Sequence, residues 1–88
     1  MKKNNILVTG SSGFIGYHVC KYFLNKKINV IGIDNHNNYY DKKLKLRRCK
    51  KLLVFKTFKF VKLDIKNQKN LLRICKIYKP KVIIHLAA

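Results

Sequence analysis

The residues best suited to chemistry in this chain are three glycines that recur at every third position. Gly10, Gly13 and Gly16 lie within the segment Gly-Ser-Ser-Gly-Phe-Ile-Gly. A glycine-rich turn can bring backbone N–H groups close to a ligand, because no Cβ stands in the way. If a helix begins at that turn, its free N–H groups and partial positive charge favour an anion such as a pyrophosphate. The segment therefore indicates a phosphate-binding loop, and a purely structural turn is the alternative.

An acidic residue follows this loop at the distance that a dinucleotide site requires. Asp34 closes a short β-branched run and is one of three acidic residues, the others being Asp41 and Asp64. In dinucleotide-binding folds, a carboxylate at this point accepts ribose hydroxyls of the adenosine half and repels a 2′-phosphate. The loop and the acid together favour NAD over NADP, with Lys42 and Lys43 as cations that could soften the discrimination. An ordinary turn residue at a strand end is the alternative for Asp34.

The composition argues against several other kinds of site. With only three acidic residues in the chain, a pair of catalytic carboxylates is nearly excluded. Cys20, Cys49 and Cys75 form no Cys-x-x-Cys pair, and an odd number cannot complete a set of disulfides. Free thiols, buried or half-buried, are therefore expected. We predict no catalytic residue and no metal site in this chain.

The elements that must position these residues alternate between strands and helices. Apolar and β-branched runs predict four strands, at 6–8, 28–33, 58–63 and 82–86. Apolar residues at helical spacing predict three helices, at 14–27, 41–53 and 71–78. Ile15, Val19 and Phe23 form the expected inward stripe of the first helix. Asp41 is a candidate N-cap for the second helix, and Pro80 is expected to end the third.

This order of elements predicts an α/β fold built on a parallel sheet. Right-handed crossovers give the strand order 3-2-1-4 with three crossover helices, which is the first half of a doubly wound fold plus one strand. The glycine loop and the end of the fourth strand then face each other across the crevice where such sheets bind ligands. His85 lies within that strand, where a packed core histidine is expected rather than a catalytic one, while His18 and His36 are expected to be solvated.

The formal net charge of +18 permits two interpretations. One is an anionic partner, either nucleic acid or a membrane surface. The other is drift in base composition, because Lys, Ile and Asn are abundant and all have A- and T-rich codons. The Lys residues are scattered through every segment, which favours drift. No apolar run approaches the roughly 18 residues of a membrane span, and the glycine segment interrupts any signal-peptide pattern, so a cytoplasmic protein is expected.

Taken together, the motifs resemble those of one family. Residues 8–16 read Val-Thr-Gly-Ser-Ser-Gly-Phe-Ile-Gly, which resembles the opening of extended short-chain dehydrogenase/reductases, the NAD-dependent epimerase/dehydratase family. Three further segments agree, at 32–35, 61–65 and 82–88. Within the family, the Asn-Tyr-Tyr-Asp segment at 38–41, followed by Leu44 and Lys45, is most similar to epimerases that act on UDP-glucuronate. The resemblance implies a truncated Rossmann-type sheet, with residues 1–88 forming a partial NAD-binding domain.

The resemblance also implies which residues would hold NAD. The loop would bind the pyrophosphate, the acid after the second strand would bind the adenosine ribose, and the end of the fourth strand would line the nicotinamide. Asp64 and Ile65 would border the adenine, although Asp64 could equally be a turn residue. The cofactor-binding residues implied are Gly10, Ser12, Gly13, Phe14, Ile15, Gly16, Asp34, Asn35, Asp64, Ile65, Leu86, Ala87 and Ala88.

Catalysis is expected to depend on regions that these 88 residues lack. Members of the family carry a Ser/Thr and a Tyr-x-x-x-Lys unit beyond the His-Leu-Ala-Ala strand, and a region that binds the UDP-sugar. Tyr17 and Lys21 have the Tyr-x-x-x-Lys spacing, but they fall on the first helix, which is the wrong place. Tyr39 and Tyr40 either face the sugar site or pack under their loop.

The resemblance thus predicts the NAD-binding part of a nucleotide-sugar epimerase or dehydratase, inactive alone, with a UDP-sugar bound only in a full-length relative. One alternative is a small basic module that binds nucleic acid through its Lys-rich helix, which lacks obvious interleaved aromatic residues for base stacking. Another alternative is a non-functional remnant of a decaying gene. In all three cases the fourth strand would be an exposed edge, which predicts self-association.

Overall fold

The computed structural model describes residues 5–35 and 42–87 of the chain. Its elements are β1 (Asn5–Thr9), α1 (Phe14–Asn25), β2 (Asn29–Asp34), α2 (Lys42–Leu53), β3 (Phe58–Lys62), α3 (Gln68–Tyr78) and β4 (Val82–His85). The strands form one parallel sheet in the order β3-β2-β1-β4. The predicted α/β class, strand order and three crossover helices are confirmed. The predicted N-cap Asp41 lies outside the described residues.

The C-terminal bound of α3 agrees with the prediction, and its N-terminal bound does not. The helix begins before Leu71 because Asn67 caps it, its side chain accepting a hydrogen bond of 3.3 Å from the Asn70 N–H. It ends at Tyr78, as predicted, and its C-cap Lys79 adopts the left-handed conformation with φ +47° just before Pro80. The Lys79 N–H donates to the Cys75 carbonyl at 2.8 Å, which satisfies one of the last carbonyls of the helix.

β1 is the central strand and brings the ends of its neighbours to one edge of the sheet. Leu7 and Val8 are fully buried. In the parallel register Thr9 lies opposite Ile33 of β2 on one side and opposite His85 of β4 on the other. The carboxyl ends of β1, β2 and β4 therefore meet at the same edge, which is where open α/β sheets bind ligands.

Side chains on the two faces of the sheet pack into two separate cores. The face covered by α1 and α2 buries Ile6, Val8, Cys20, Leu24, Val30, Leu52 and Phe58. The opposite face, beneath α3, buries Leu7, Ile31 and Ile33. Residues of α3 are only half-buried or exposed, so this second core is much the thinner of the two. Successive strand residues contribute to opposite faces, as the two-residue period of a strand requires.

The buried face of α1 lies one residue further along the helix than predicted. The predicted inward stripe is wrong at Ile15, which is 63% exposed, whereas half-buried Val19 and Phe23 do pack against the core. The buried positions of this helix are Gly16, Cys20 and Leu24. Ile15, Val19 and Phe23 also line an open apolar groove between α1 and Ile84 of β4.

The reason for this rotation is the close packing of Gly16 on the glycine loop. A Cβ built on Gly16 would lie 1.9 Å from the carbonyl oxygen of Gly10 and 3.1 Å from the Cα of Ser11. Such distances leave no room for any side chain. The glycine face of the helix therefore approaches the sheet, and the residues one and two turns later on that face are buried with it.

β4 is an edge strand with little covering it in the described part of the chain. Val82 is 49% exposed and Ile83 55% exposed. His85 is also exposed, so the prediction of a packed core histidine is wrong. The physical reason is that a β-branched run predicts a buried strand only when neighbours cover both of its faces.

The cysteines are free thiols, as predicted. Cys20 and Cys49 are buried, and Cys75 is half-buried. Burial raises the pKa of Cys20 to about 12, and it also raises the pKa of Cys49. Both thiols stay protonated at neutral pH, so they act as packing residues and not as nucleophiles.

Two further observations concern only residues 5–35 and 42–87. No helix there combines the length and the apolar character that crossing a membrane requires. In that part of the chain, no three His, Cys, Asp or Glu side chains come together in a way that could hold a metal ion.

The packing of Gly16 predicts that Gly16→Ala will be much more destabilising than Gly13→Ala. At Gly13 the backbone has φ −71°, and a Cβ would meet only the Gly10 carbonyl oxygen at 3.3 Å. Overpacking of a site that cannot relax costs about 1–3 kcal/mol. We expect Gly16→Ala to lose at least that much free energy of unfolding in urea, and Gly13→Ala to lose less than about 1 kcal/mol. Equal losses in the two variants would contradict this account of the loop.

Candidate cofactor site

The glycine loop is fixed to the end of β2 by a single backbone carbonyl. The N–H groups of Gly10 and Ser11 both donate to the Ile33 carbonyl oxygen, at 2.7 and 3.2 Å. Gly10 has φ +75°, a conformation that side chains other than glycine rarely adopt. Gly10 thus turns the chain out of β1 and allows the next residue to share the same acceptor.

Gly10 also packs against the segment that follows β4. A Cβ on Gly10 would lie 2.9 Å from the Ala87 nitrogen and 3.0 Å from the Leu86 carbonyl carbon. The predicted arrangement, with the glycine loop facing the end of the fourth strand, is therefore confirmed. Leu86 is 39% exposed and Ala87 half-buried, and Ala88 lies outside the described residues.

A threonine hydroxyl joins β1 to this segment. The Thr9 Oγ1 accepts hydrogen bonds from the N–H groups of Leu86 at 3.0 Å and Ala87 at 3.3 Å. It also lies 2.8 Å from the His85 Nδ1. The Thr9 hydroxyl thus ties the end of β1 to three consecutive residues at the end of β4. The sequence analysis gave Thr9 no role, although this residue belongs to the Val-Thr-Gly segment that carries the family resemblance.

The N-terminus of α1 is open toward the crevice. Gly13 is the N-cap in extended conformation, and no side chain caps the first turn. The N–H groups of a first helical turn have no partner within the helix. Beyond the Gly10 carbonyl, a side chain at position 13 would project into open space. Phe14 and Ile15, which follow it, are 65% and 63% exposed. The arrangement suits an anion held by backbone N–H groups and the helix dipole.

Asp34 is held in a fixed orientation at the end of β2. The residue is only 5% exposed. Its Oδ2 accepts a hydrogen bond of 3.1 Å from the Ser12 N–H, and its Oδ1 lies 3.4 Å from the Lys45 Nζ. The carboxylate therefore stands beside the glycine loop, with half-buried Asn35 directly after it. Both residues have the position that the family resemblance implies for contact with a ribose.

One face of α2 packs against the loop, a feature that sequence reasoning did not identify. Arg48 donates from Nη1 to the Ser12 carbonyl at 3.3 Å, and its guanidinium lies 5.7 Å from the centre of the Phe14 ring. The Cys49 thiol is hydrogen-bonded to the Ser12 hydroxyl, so this side chain faces the helix. The spacing of Lys45, Arg48, Cys49 and Leu52 at three and four residues is the signal that could have revealed this face.

Gly32 of β2 leaves space for the Ser11 side chain of the glycine loop. A Cβ on Gly32 would lie 2.7 Å from both the Ser11 Oγ and the Phe58 ring. The Ser11 side chain is fully buried in this space, and its Oγ has no hydrogen-bond partner among the described residues. The loop therefore offers backbone groups, and not the Ser11 hydroxyl, to a ligand.

The turn after β3 lies at the same edge of the sheet. The Leu63 N–H donates to the Asp34 carbonyl at 3.1 Å. Asp64 is exposed, and its Oδ1 accepts a hydrogen bond of 2.9 Å from the Lys66 N–H. Ile65 packs against the core beneath α3. These contacts fit the turn-residue interpretation of Asp64, at a place adjoining Asp34.

The remaining candidates lie away from this edge or outside the described residues. Tyr17 packs against the core and Lys21 is exposed, so their Tyr-x-x-x-Lys spacing forms no unit at the crevice. His18 is exposed, as expected. His36, Tyr39 and Tyr40 lie outside the described residues.

Comparison with known proteins gives a consistent result. Residues 6–88 match the model of the NAD dependent epimerase/dehydratase family. The UDP-glucuronate 4-epimerase of Thermodesulfobacterium geofontis is 43% identical over 93% of this chain. The structure of the UDP-glucuronic acid 4-epimerase of Bacillus cereus with UDP-glucuronic acid and NAD superposes with a TM-score of 0.84, at 36% identity over 96% of this chain. The dTDP-glucose 4,6-dehydratase of Bacillus anthracis with NAD also gives 0.84, at 32% identity over 97% of the chain.

These relatives are much longer proteins. The chain covers 25% of the T. geofontis enzyme, 26% of the B. cereus structure and 27% of the B. anthracis structure. The chain belongs to the NAD dependent epimerase/dehydratase family.

Proposed function

We propose that this chain is the NAD-binding part of an enzyme of the UDP-glucuronate 4-epimerase type. The observation that carries the proposal is the glycine loop, which is anchored on Ile33 and Asp34 and ends at an uncapped helix N-terminus. Its fold superposes on NAD complexes of relatives at TM-scores of 0.84. Both observations support a dinucleotide site at this edge of the sheet.

The residues at the edge of the sheet suggest how NAD would lie. The N–H groups around Gly13, Phe14 and Ile15 would hold the pyrophosphate, with Gly10 and Gly16 shaping the loop. Asp34 and Asn35 would accept the adenosine ribose hydroxyls. Residues 64 and 65 would border the adenine, and residues 86–88 would line the nicotinamide. When bound, NAD supplies the hydride acceptor of the reaction; the chain's own residues bind and orient it.

We propose that UDP-sugar binding and proton transfer depend on a part of a longer protein that these 88 residues do not provide. The relatives that bind UDP-glucuronic acid are about four times as long as this match. The resemblance places their Ser/Thr and Tyr-x-x-x-Lys unit beyond the strand that corresponds to β4. The free cysteines fit a reducing compartment, and we propose a cytoplasmic location.

Nucleic-acid binding is the less favoured function. Lys45 and Arg48 of the basic helix α2 contact Asp34 and the Ser12 carbonyl, so they are partly occupied by the chain itself. The exposed cations of this helix, such as Lys43 and Lys50, have no aromatic side chain of α2 beside them on which a base could stack. We propose that these cations keep the chain soluble and do not read a nucleic acid.

NAD binding can be tested with a variant that should fold normally. We expect the purified chain to bind NAD saturably in a calorimetric titration, and Gly13→Ala to weaken the affinity at least about tenfold, which is 1.4 kcal/mol. The added methyl would occupy the space in which the pyrophosphate approaches the loop. Asn25→Ala, at an exposed position near the end of the same helix, is the control and should bind as the parent does. Parent-like affinity in Gly13→Ala would refute the assignment of the loop.

The chain alone is expected to bind the cofactor without converting UDP-glucuronate to UDP-galacturonate. Without a base placed against the sugar, cofactor positioning cannot supply the proton transfer that the reaction needs. The measurement is chromatographic separation of the two UDP-sugars after prolonged incubation with rigorously purified chain and NAD. Product above that formed with heat-inactivated chain would contradict the proposed division of the site.

We also propose that the exposed edge of β4 makes the chain self-associate. Val82 and Ile83 are each about half exposed, and an unpaired parallel strand can template another. The net charge of +18 opposes association, and salt shortens the screening length from about 10 Å at 0.1 M to about 3 Å at 1 M.

Sedimentation should therefore show a mean mass that rises with salt. Ile83→Lys is expected to abolish the rise, because a lysine at the edge adds charge where another strand would pair. Ile77→Lys makes the same change at a 62% exposed position of α3, and it should behave like the parent. A chain that stays monomeric at every salt concentration would argue against the interface.

A further inference from the structure

We propose that Lys45 determines how strongly this site discriminates between NAD and NADP. The inference rests on the proposed NAD-binding function and deepens it. Lys45 lies on α2 with its side chain 21% exposed, and its Nζ is 3.4 Å from the Oδ1 of Asp34. Asp34 is the residue to which the preference for NAD is assigned. A cation in contact with that carboxylate acts on the same part of the ligand.

The position of Lys45 relative to the carboxylate carries the argument. One carboxylate oxygen of Asp34 is turned toward the loop, to the Ser12 N–H, and the other is turned toward Lys45. A group at the adenosine 2′ position that meets this carboxylate is therefore also within reach of the Lys45 ammonium. A 2′-hydroxyl gains a hydrogen-bond acceptor there, whereas a 2′-phosphate meets one anion and one cation.

Arg48 reinforces the positive field at this end of the site. It lies one turn after Lys45 and donates to the carbonyl of Ser12, the residue whose N–H donates to Asp34. The only other acidic residue among those described is Asp64, whose carboxylate is exposed and bonded to its own turn. Asp34 is thus ion-paired with Lys45, and a second cation contacts the adjoining loop residue Ser12.

The sequence analysis named Lys42 and Lys43 as cations that could soften this discrimination, and the structure adds Lys45 as a cation in contact with Asp34. Both are exposed and neither has a described contact with Asp34. Solvent and salt screen such charges over about 8 Å at 0.15 M ionic strength. Lys45 differs because it is mostly buried and in direct contact with the carboxylate. It therefore keeps the NAD preference below the level that Asp34 alone would impose.

The test compares dissociation constants for NAD and NADP at 0.15 M salt in four variants. Lys45→Met and Lys45→Gln remove the charge in two ways, and Lys45→Arg retains it. Lys50→Met is the control, because it removes one charge from an exposed position of the same helix and so lowers the net charge by the same amount as the neutral Lys45 variants. Circular dichroism verifies that each variant is folded.

We expect Lys45→Met and Lys45→Gln to raise the NADP-to-NAD ratio of dissociation constants about tenfold, mainly through weaker NADP binding. Lys45→Arg and Lys50→Met should keep the parent ratio within about twofold. An unchanged or lowered ratio in both neutral Lys45 variants overturns the proposal while NAD binding by the parent stands. If the parent binds neither nucleotide, the cofactor site itself is overturned, and this proposal with it.

Discussion

The approach of Gly16 to the carbonyl of Gly10 is the constraint on which the rest of this structure depends. Because no Cβ separates them, the first turn of α1 lies directly on the loop that leaves β1. That contact fixes which face of the helix is buried, and it aims the N-terminus of the helix along the crevice. The same loop is held from the other side by the Ile33 carbonyl. A helix dipole can act on a ligand only if its end is fixed in this way.

The electrostatics of the site follow from one buried anion in a strongly basic chain. Burying a carboxylate is costly unless it is paired and hydrogen-bonded. Asp34 meets both conditions, through the Ser12 N–H and the Lys45 ammonium. Asp34 therefore orders the loop as well as offering an acceptor to a ribose. A substitution of Asp34 is therefore expected to change both the binding of a ribose and the stability of the glycine loop.

Much of the fold and of the site could be predicted from the sequence. Alternating apolar runs and helical periodicity determine the elements, and the handedness of parallel crossovers then permits few strand orders. The glycine spacing and Asp34 locate the ligand edge. The prediction of which face of α1 is buried failed. Periodicity identifies a stripe of residues four apart, but it does not show whether that stripe begins at Ile15 or at Gly16. Lys45, Arg48 and Thr9 were also missed, since their partners come from other elements and leave no local pattern. The prediction that His85 lies in the core failed because burial depends on neighbouring elements, and residues 5–35 and 42–87 place little over β4.

The pairing of β4 with β1 has a consequence for how the chain folds as it is made. Thr9 and the glycine loop make their contacts with residues 85–87, which are separated from them by almost the whole sequence. Parallel pairings across such separations form slowly, because closing a long loop costs conformational entropy before the new contacts offset it. On the ribosome, β1, α1 and β2 emerge early but lack one side of the ligand edge. The crevice therefore comes into existence only when the last residues of this segment leave the exit tunnel.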